Sequence, residues 1–193
     1  MKYDSILASF AKHITLTEEE KALFISRIDR EQVENGQFLE KKGQFTRNFI
    51  YVESGCLMTY YTDPNAQDHV VQFATAGWWT GDLQSYTKGT PSEYSTRALA
   101  TSSVLLISLK EMDQLLLDIP KFERYFRIIY QNSLITHSQR IISNFSSNAE
   151  ERYIRFQAKY PTLEQYVPLK YIASYLGITP EFLSKVRRKL MEK

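Results

Sequence analysis

The chain has 193 residues, 43% of them apolar, and its 24 Lys/Arg against 22 Asp/Glu give a formal net charge of +2. That length admits one large domain or two small ones, and the apolar share is sufficient for a core. The lone cysteine, Cys56, excludes an internal disulfide and an all-cysteine metal or iron–sulfur cluster. No apolar run reaches the ~20 residues of a bilayer span, and the first ten residues lack signal-peptide anatomy, so a soluble cytoplasmic protein is expected.

The chain opens with helix. Ile6, Leu7 and Phe10 make a short apolar stripe, and Thr17-Glu-Glu-Glu20 reads as a capping box for a helix carrying Ala22, Leu23, Phe24, Ile25 and Ile28. From about Gln32 to Leu109 the pattern changes to short strands: Phe38-Leu39, Phe49–Val52, Leu57–Tyr61, His69–Phe73 and Val104–Ile107. Turn residues such as Asn35-Gly36, Lys42-Gly43, Ser54-Gly55, Asp63-Pro64 and Ala76-Gly77 separate them. Short strands at near-regular spacing predict an antiparallel sandwich or barrel.

Helix returns at Glu111–Leu117 and stops near Pro120; a long helix then runs from about Lys121 to Phe145. Its stripe is Phe122, Tyr125, Phe126, Ile129, Leu134, Ile141, Ile142 and Phe145, interrupted by Ser133 and His137. Such a stripe packs either on the chain's own core or on a symmetry mate. The dimer reading assigns Phe122, Tyr125, Phe126, Ile129, Leu134, His137 and Ile141 to the interface. Ser147-Asn-Ala-Glu150 reads as a second capping box, for a helix through Ile154, Phe156 and Ala158 that ends before Pro161. Gln165-Tyr-Val167 reads as a short strand.

The last stretch is the most specific. Leu169, Ile172, Ala173 and Leu176 share one helical face, and Gly177 follows where a helix end favours positive φ. Thr179 N-caps a second helix, Pro180 takes its first position, and Leu183, Val186 and Leu190 turn inward. Small Ala173 lets the two helices approach. This is the pattern of a helix-turn-helix. Residues 168–193 hold six Lys/Arg against two Glu, a net of +4, while the rest holds 18 against 20, a net of −2. Positive charge gathers on the final helix, as a DNA reader requires. The DNA-facing set is Thr179, Pro180, Glu181, Ser184, Lys185, Arg187, Arg188 and Lys189. Glu181 suits a cytosine amino group and Lys185 suits guanine acceptors.

An N-terminal β-domain, a long helix and a C-terminal helix-turn-helix, in that order, resemble the Crp/Fnr superfamily of bacterial transcription regulators. The carriers are Phe49–Gly55, the Gly81-Asp-Leu83 triplet after Trp78-Trp79, and the helix-turn-helix. The resemblance implies an α+β fold: a jelly-roll-like, cyclic-nucleotide-binding-like antiparallel β-roll with N-terminal helices at 1–110, connecting and dimerisation helices at 111–146, and a helix-turn-helix domain at 147–193. It implies a homodimer on an inverted-repeat operator, with RNA polymerase a further partner, no membrane and no cofactor. Gly81-Asp-Leu83 looks like the family's Gly-Glu-Leu, which opens its phosphate-binding cassette. Trp78, Trp79, Gly81, Asp82, Leu83, Tyr86 and Arg97 then form the expected effector pocket, although the three aromatics suit a core equally well.

There are departures from the family pattern. Counting back from Ile107-Ser108, the family's Arg-Ser pair falls on Ser92 and Glu93, and a glutamate repels phosphate. Cyclic AMP is therefore not the expected effector. Cys56 alone does not fit the branch that ligates a cluster with several cysteines, and no β-hairpin wing follows the last helix, so phosphate contacts from a wing are not expected. Among enzymes, His13, His69 and His137 fall in separate elements without metal-ligand spacing, and no Gly-rich phosphate loop is present, so no catalytic activity is expected. The remaining alternative is a β-roll that senses a small molecule and whose helix-turn-helix has lost DNA binding.

Overall fold

The computed structural model describes residues 3–192. The chain divides into two compact units, Met1–Thr59 with Phe73–Asn132, and Tyr60–Gln72 with Ser133–Lys193.

Helices α1 (Asp4–Ala11) and α2 (Glu18–Ser26) precede the strands β1 (Asp29–Val33), β2 (Phe38–Glu40), β3 (Asn48–Ser54), β4 (Cys56–Thr62), β5 (Asp68–Thr75) and β6 (Trp79–Thr80); all lie in the first unit except Tyr60–Gln72, the far ends of β4 and β5 with their turn, which belong to the second. Helix α3 (Leu83–Lys88), strands β7 (Tyr94–Ala98) and β8 (Ser102–Ser108), and helix α4 (Leu109–Asp118) follow. The strands form two four-stranded sheets, ordered β1-β8-β3-β6 and β2-β7-β4-β5. β8 lies antiparallel between β1 and β3, with Ile50 opposite Leu106 and Tyr51 opposite Leu105.

The two-residue period of β3 explains the packing. Ile50 and Val52 face one side and join Val33, Leu57, Ala74, Ala98 and Val104 inside the roll. Phe49 and Tyr51 face the other side and join the helices. There Phe10 meets Phe24, Phe122 and Tyr125 edge-on, with ring centroids 4.8–5.0 Å apart. The Thr17–Glu20 capping box forms as the sequence predicts, but α2 stops at Ser26, which leaves Ile28 beyond it. Gly55, at φ +87°, turns β3 directly into β4 against the backbone of Ser102. Burial pushes the Cys56 thiol up to about 12.

Helix α5 (Lys121–Ser146) contributes to both units. Its first turns are consumed by the core: Phe122, Tyr125 and Phe126 are buried with the helices of the first unit. These three residues, expected at a dimer interface, are therefore closed to any partner. Beyond Asn132 the apolar side chains lie open, with Leu134 68%, Ile141 55% and Phe145 87% exposed.

The second unit adds α6 (Ala149–Lys159), a 3-10 turn at Leu163–Gln165, α7 (Leu169–Leu176) and α8 (Pro180–Met191). The capping box of α6 sits one residue later than the sequence reading: Asn148 caps, and Glu151 returns the bond. The inward face is accordingly Ala149, Tyr153 and Phe156, while Ile154 is exposed. No strand forms at residues 165–167; the 3-10 turn buries Leu163, and Val167 is buried after it. No helix among the described residues is long and apolar enough to cross a membrane.

Candidate functional site

The α7–α8 pair is built as its sequence dictates. Ile172, Ala173 and Leu176 of α7 are buried, as are Leu183 and Val186 of α8. Gly177 takes φ +67° at the C-cap, and the Ile178 amide donates to the Ala173 carbonyl. Thr179 Oγ1 accepts from the Phe182 amide at 3.2 Å, and Pro180 begins the helix. On the outer face Thr179, Pro180, Glu181, Ser184, Lys185, Arg188 and Lys189 are exposed. Ser184 Oγ donates to the Pro180 carbonyl at 3.0 Å. Hydrogen bonds at the helix start, from the backbone and then from Thr179, hold the Glu181 carboxyl below its ordinary range.

Not all of this set points outward. Arg187 is partly buried and pairs with Glu164 at 3.7 Å, while Lys189 pairs with Glu150 at 2.6 Å. These two cations tie α8 to the rest of its unit. Phe182, passed over in the sequence reading, is 49% exposed between Glu181 and Lys185 and offers an apolar contact on the same face. Its signal was there: the residue is out of register with Leu183 and Val186.

In the β-roll, the expected pocket residues do not come together. Trp79 packs on Tyr51 and Phe126 with ring centroids 5.2 and 5.4 Å away, and its Nε1 donates to the Tyr125 hydroxyl at 3.0 Å. Tyr86 packs on Phe49 and donates to the Asp113 carboxylate. Both rings belong to the core on the helical side, and Trp78 packs on the cluster inside the roll. Leu83 is exposed, and Arg97 lies in β7 opposite Phe38.

A cavity of about 540 Å³ opens elsewhere in the same unit, lined by Glu31, Glu40, Lys41, Thr46, Arg47 and Ser92 among others. None of the seven expected pocket residues lines it. Deeper in the roll, the Thr59 hydroxyl bonds those of Thr80 and Thr96 at 3.1 and 3.0 Å, and Thr96 bonds Glu40 Oε2 at 3.1 Å. Burial raises the Glu40 carboxyl above its ordinary range, against hydrogen bonds that lower it. At the start of α3, Asp82 Oδ1 accepts from the amides of Gln84 and Ser85 at 2.9 and 3.1 Å, and Oδ2 accepts from Ser92 Oγ at 2.7 Å. The chain's own carboxylate thus takes the amides that a bound phosphate would need.

Comparison with known proteins agrees with this architecture. The family described as cyclic nucleotide-binding domain matches residues 30–118. The chain is 25% identical over 197 residues to the fumarate and nitrate reduction regulatory protein of Vibrio cholerae, covering 95% of this chain and 77% of that protein. It is 24% identical to the probable transcriptional regulator flp of Lacticaseibacillus casei, covering 92% and 83%. These similarities support a regulator of the Crp/Fnr type. In fold, a Crp/Fnr structure described as the c-di-GMP responsive global regulator CLP of Xanthomonas campestris matches with a TM-score of 0.74 at 15% identity, over 91% of this chain and 92% of that one.

Within a Crp/Fnr frame the departure lies in the cassette. Gly81, at φ +144°, and the short helix α3 are kept. The acid beside that glycine is one methylene shorter than the glutamate of the family pattern, and it folds back as the helix cap instead of facing a ligand. Ser92 is spent on Asp82 and on its own turn, and Arg97 is held in a strand rather than in the cassette loop. The residues present do not fit a cyclic nucleotide phosphate.

Proposed function

We propose that this Crp/Fnr regulator acts as a homodimer that reads an inverted repeat in double-stranded DNA, and that its β-roll senses a small effector other than cyclic AMP. The exposed α8 face, held on a capped two-helix frame, carries this reading. Such a helix presents its N-terminal residues to base edges in the major groove. Glu181, Lys185 and Arg188 are the main contacts, with Thr179, Pro180 and Ser184 beside them. In this reading residues 1–110 sense, 111–146 connect and dimerise, and 147–193 bind DNA. Its work lies in the cytoplasm, with RNA polymerase downstream.

The open side of α5 supports pairing: Leu134, His137 and Ile141 recur at heptad spacing, whereas Ile129, expected in the same interface, packs on the core of the first unit. Two recognition helices so joined reach successive major grooves, ~34–36 Å apart. The effector's place in this reading is the cavity beside Glu40.

Selection of bound duplexes from a random library, followed by anisotropy across a salt series, tests the DNA reading. Inverted repeats with steep salt dependence are expected. Absence of any saturable binding at low salt overturns it. Thermal melting tests the effector claim. A ligand at a hundred times its Kd adds about 2.7 kcal/mol, or roughly 5–10 °C in a chain of this size. No such rise is expected with millimolar cyclic AMP; a rise of that size, removed by Arg97→Ala, refutes the claim.

A further inference from the structure

The second unit holds a cavity of about 440 Å³ between the end of α5, the outer turns of α6 and the end of α7. Four cations line it, Arg140, Arg152, Arg155 and Lys159, and no acidic residue does. The arginines are satisfied chiefly by neutral oxygens. Arg140 Nη1 donates to the Val71 carbonyl at 2.6 Å, with its guanidinium 4.8 Å from the Tyr175 ring centre. Arg155 Nη1 donates to the hydroxyls of Ser143 and Ser147 at 2.7 and 2.8 Å, and its one carboxylate neighbour, Glu151, stands 4.0 Å away. Arg152 Nη1 reaches Asn144 Oδ1 at 3.4 Å, and its buried Nε has no partner among the described residues. The lining itself thus carries four positive charges and no negative one. Phe156 and Tyr175 add apolar walls.

We propose that this cavity binds a phosphorylated small molecule with a planar apolar part, its phosphates on Arg152 and Arg155 and its apolar part against Phe156 and Tyr175. Forked guanidinium donors match phosphate oxygens bidentately, and the volume lies within the range of ligand pockets. The neighbouring His137 senses the same field: burial first, then the charges of Arg140 and Lys159, lower its pKa. Because α5, α6 and α7 all line the cavity, an occupant fastens the end of the long helix to the helix-turn-helix. The proposal needs no DNA and stands apart from the DNA-reading face.

Calorimetric titration of the full chain with ADP, pyrophosphate and adenosine, without DNA, tests it. ADP is expected to bind once per chain, pyrophosphate more weakly, and adenosine not detectably at about 1 mM. Arg155→Gln and Arg152→Gln should each weaken ADP at least about tenfold, a loss of ~1.4 kcal/mol, while Arg155→Lys retains more of the affinity. Arg155 is exposed on α6, so its variants should keep the wild-type melting curve. No saturable binding of ADP or pyrophosphate overturns the proposal, as does ADP binding indifferent to both Gln variants. Equal loss in Lys185→Ala overturns it too, since the anion would then sit on the DNA-reading face.

Discussion

Replacing Ile141 by Asp tests the pairing of α5 with the least disturbance to the protomer. Ile141 is 55% exposed in the single chain, so it supports little of its own unit. Full burial of such a side chain contributes about 1.5–3 kcal/mol, so closing its open half against a partner contributes roughly 1–1.5 kcal/mol per copy. Both copies lose this in the variant, roughly 2–3 kcal/mol. Two carboxylates facing each other in an apolar seam add a desolvation and repulsion cost of about the same size. The total, about 4–6 kcal/mol, raises the dimer Kd by roughly 10³–10⁴-fold. Sedimentation velocity at about 10 µM should show a wild-type dimer and a variant monomer, with helix content by circular dichroism unchanged. Specific DNA binding should fall with the dimer. A variant that stays dimeric, or a wild-type chain that is monomeric, refutes the assignment.

Lys185→Ala should cost about 1–3 kcal/mol in operator affinity and relax specificity at one base pair, seen in competition between single-base variants. A loss uniform across sequences, with a salt slope shallower by about one, would make Lys185 a phosphate contact. Glu40→Gln should stabilise the first unit at pH 7. The folded state favours the protonated acid, so the penalty is absent well below the ordinary carboxylate pKa and grows as pH rises through the raised one. The gain in Tm over wild type should therefore vanish near pH 4, and an equal gain at both pH values refutes the assignment. Gly55→Ala puts a Cβ 2.7 Å from Ser102 Cα at φ +87° and should cost about 3 kcal/mol or more, read as a Tm lower by roughly 6–12 °C.

The helix-turn-helix was legible because several local rules agree over a few residues: an apolar helical face, Gly177, a Thr-Pro start and inward Leu and Val. The box at Asn148 shows the limit of such rules. Ser147-Asn-Ala-Glu150 and Asn148-Ala-Glu-Glu151 both satisfy the pattern, and the choice depends on which face of α6 must bury Tyr153 and Phe156. Strand β1 was invisible by periodicity, since Asp29-Arg-Glu-Gln-Val33 buries only Val33 and owes its form to pairing with β8. The long stripe of α5 concealed two partners. Apolar content alone does not distinguish Phe122, claimed by Phe10 and Phe24, from Leu134, which stays 68% exposed. The aromatics expected around one pocket part company for a related reason. Trp79 and Tyr86 flank the cassette in sequence, but strand alternation turns Trp79 to the opposite side of the sheet from the roll's interior. Glu40 escaped notice because one acid at the end of a three-residue strand carries no pattern.

The hydrogen bonds that Ser174 makes, accepting from the Val70 amide and donating to the Asp68 carbonyl, span 104 and 106 residues of sequence. At ~5–20 residues per second, a ribosome needs about 5–20 s to travel that distance. For that interval the far end of the β4–β5 hairpin is on the nascent chain without the helix that will cap it, and its strand-edge groups are free to pair wrongly. The first unit has its last strand by Ser108, well before Ser174 is made, and can close around its own core. Expression conditions that slow elongation late in the message should lengthen this exposure and lower the soluble yield, whereas slowing it early should not.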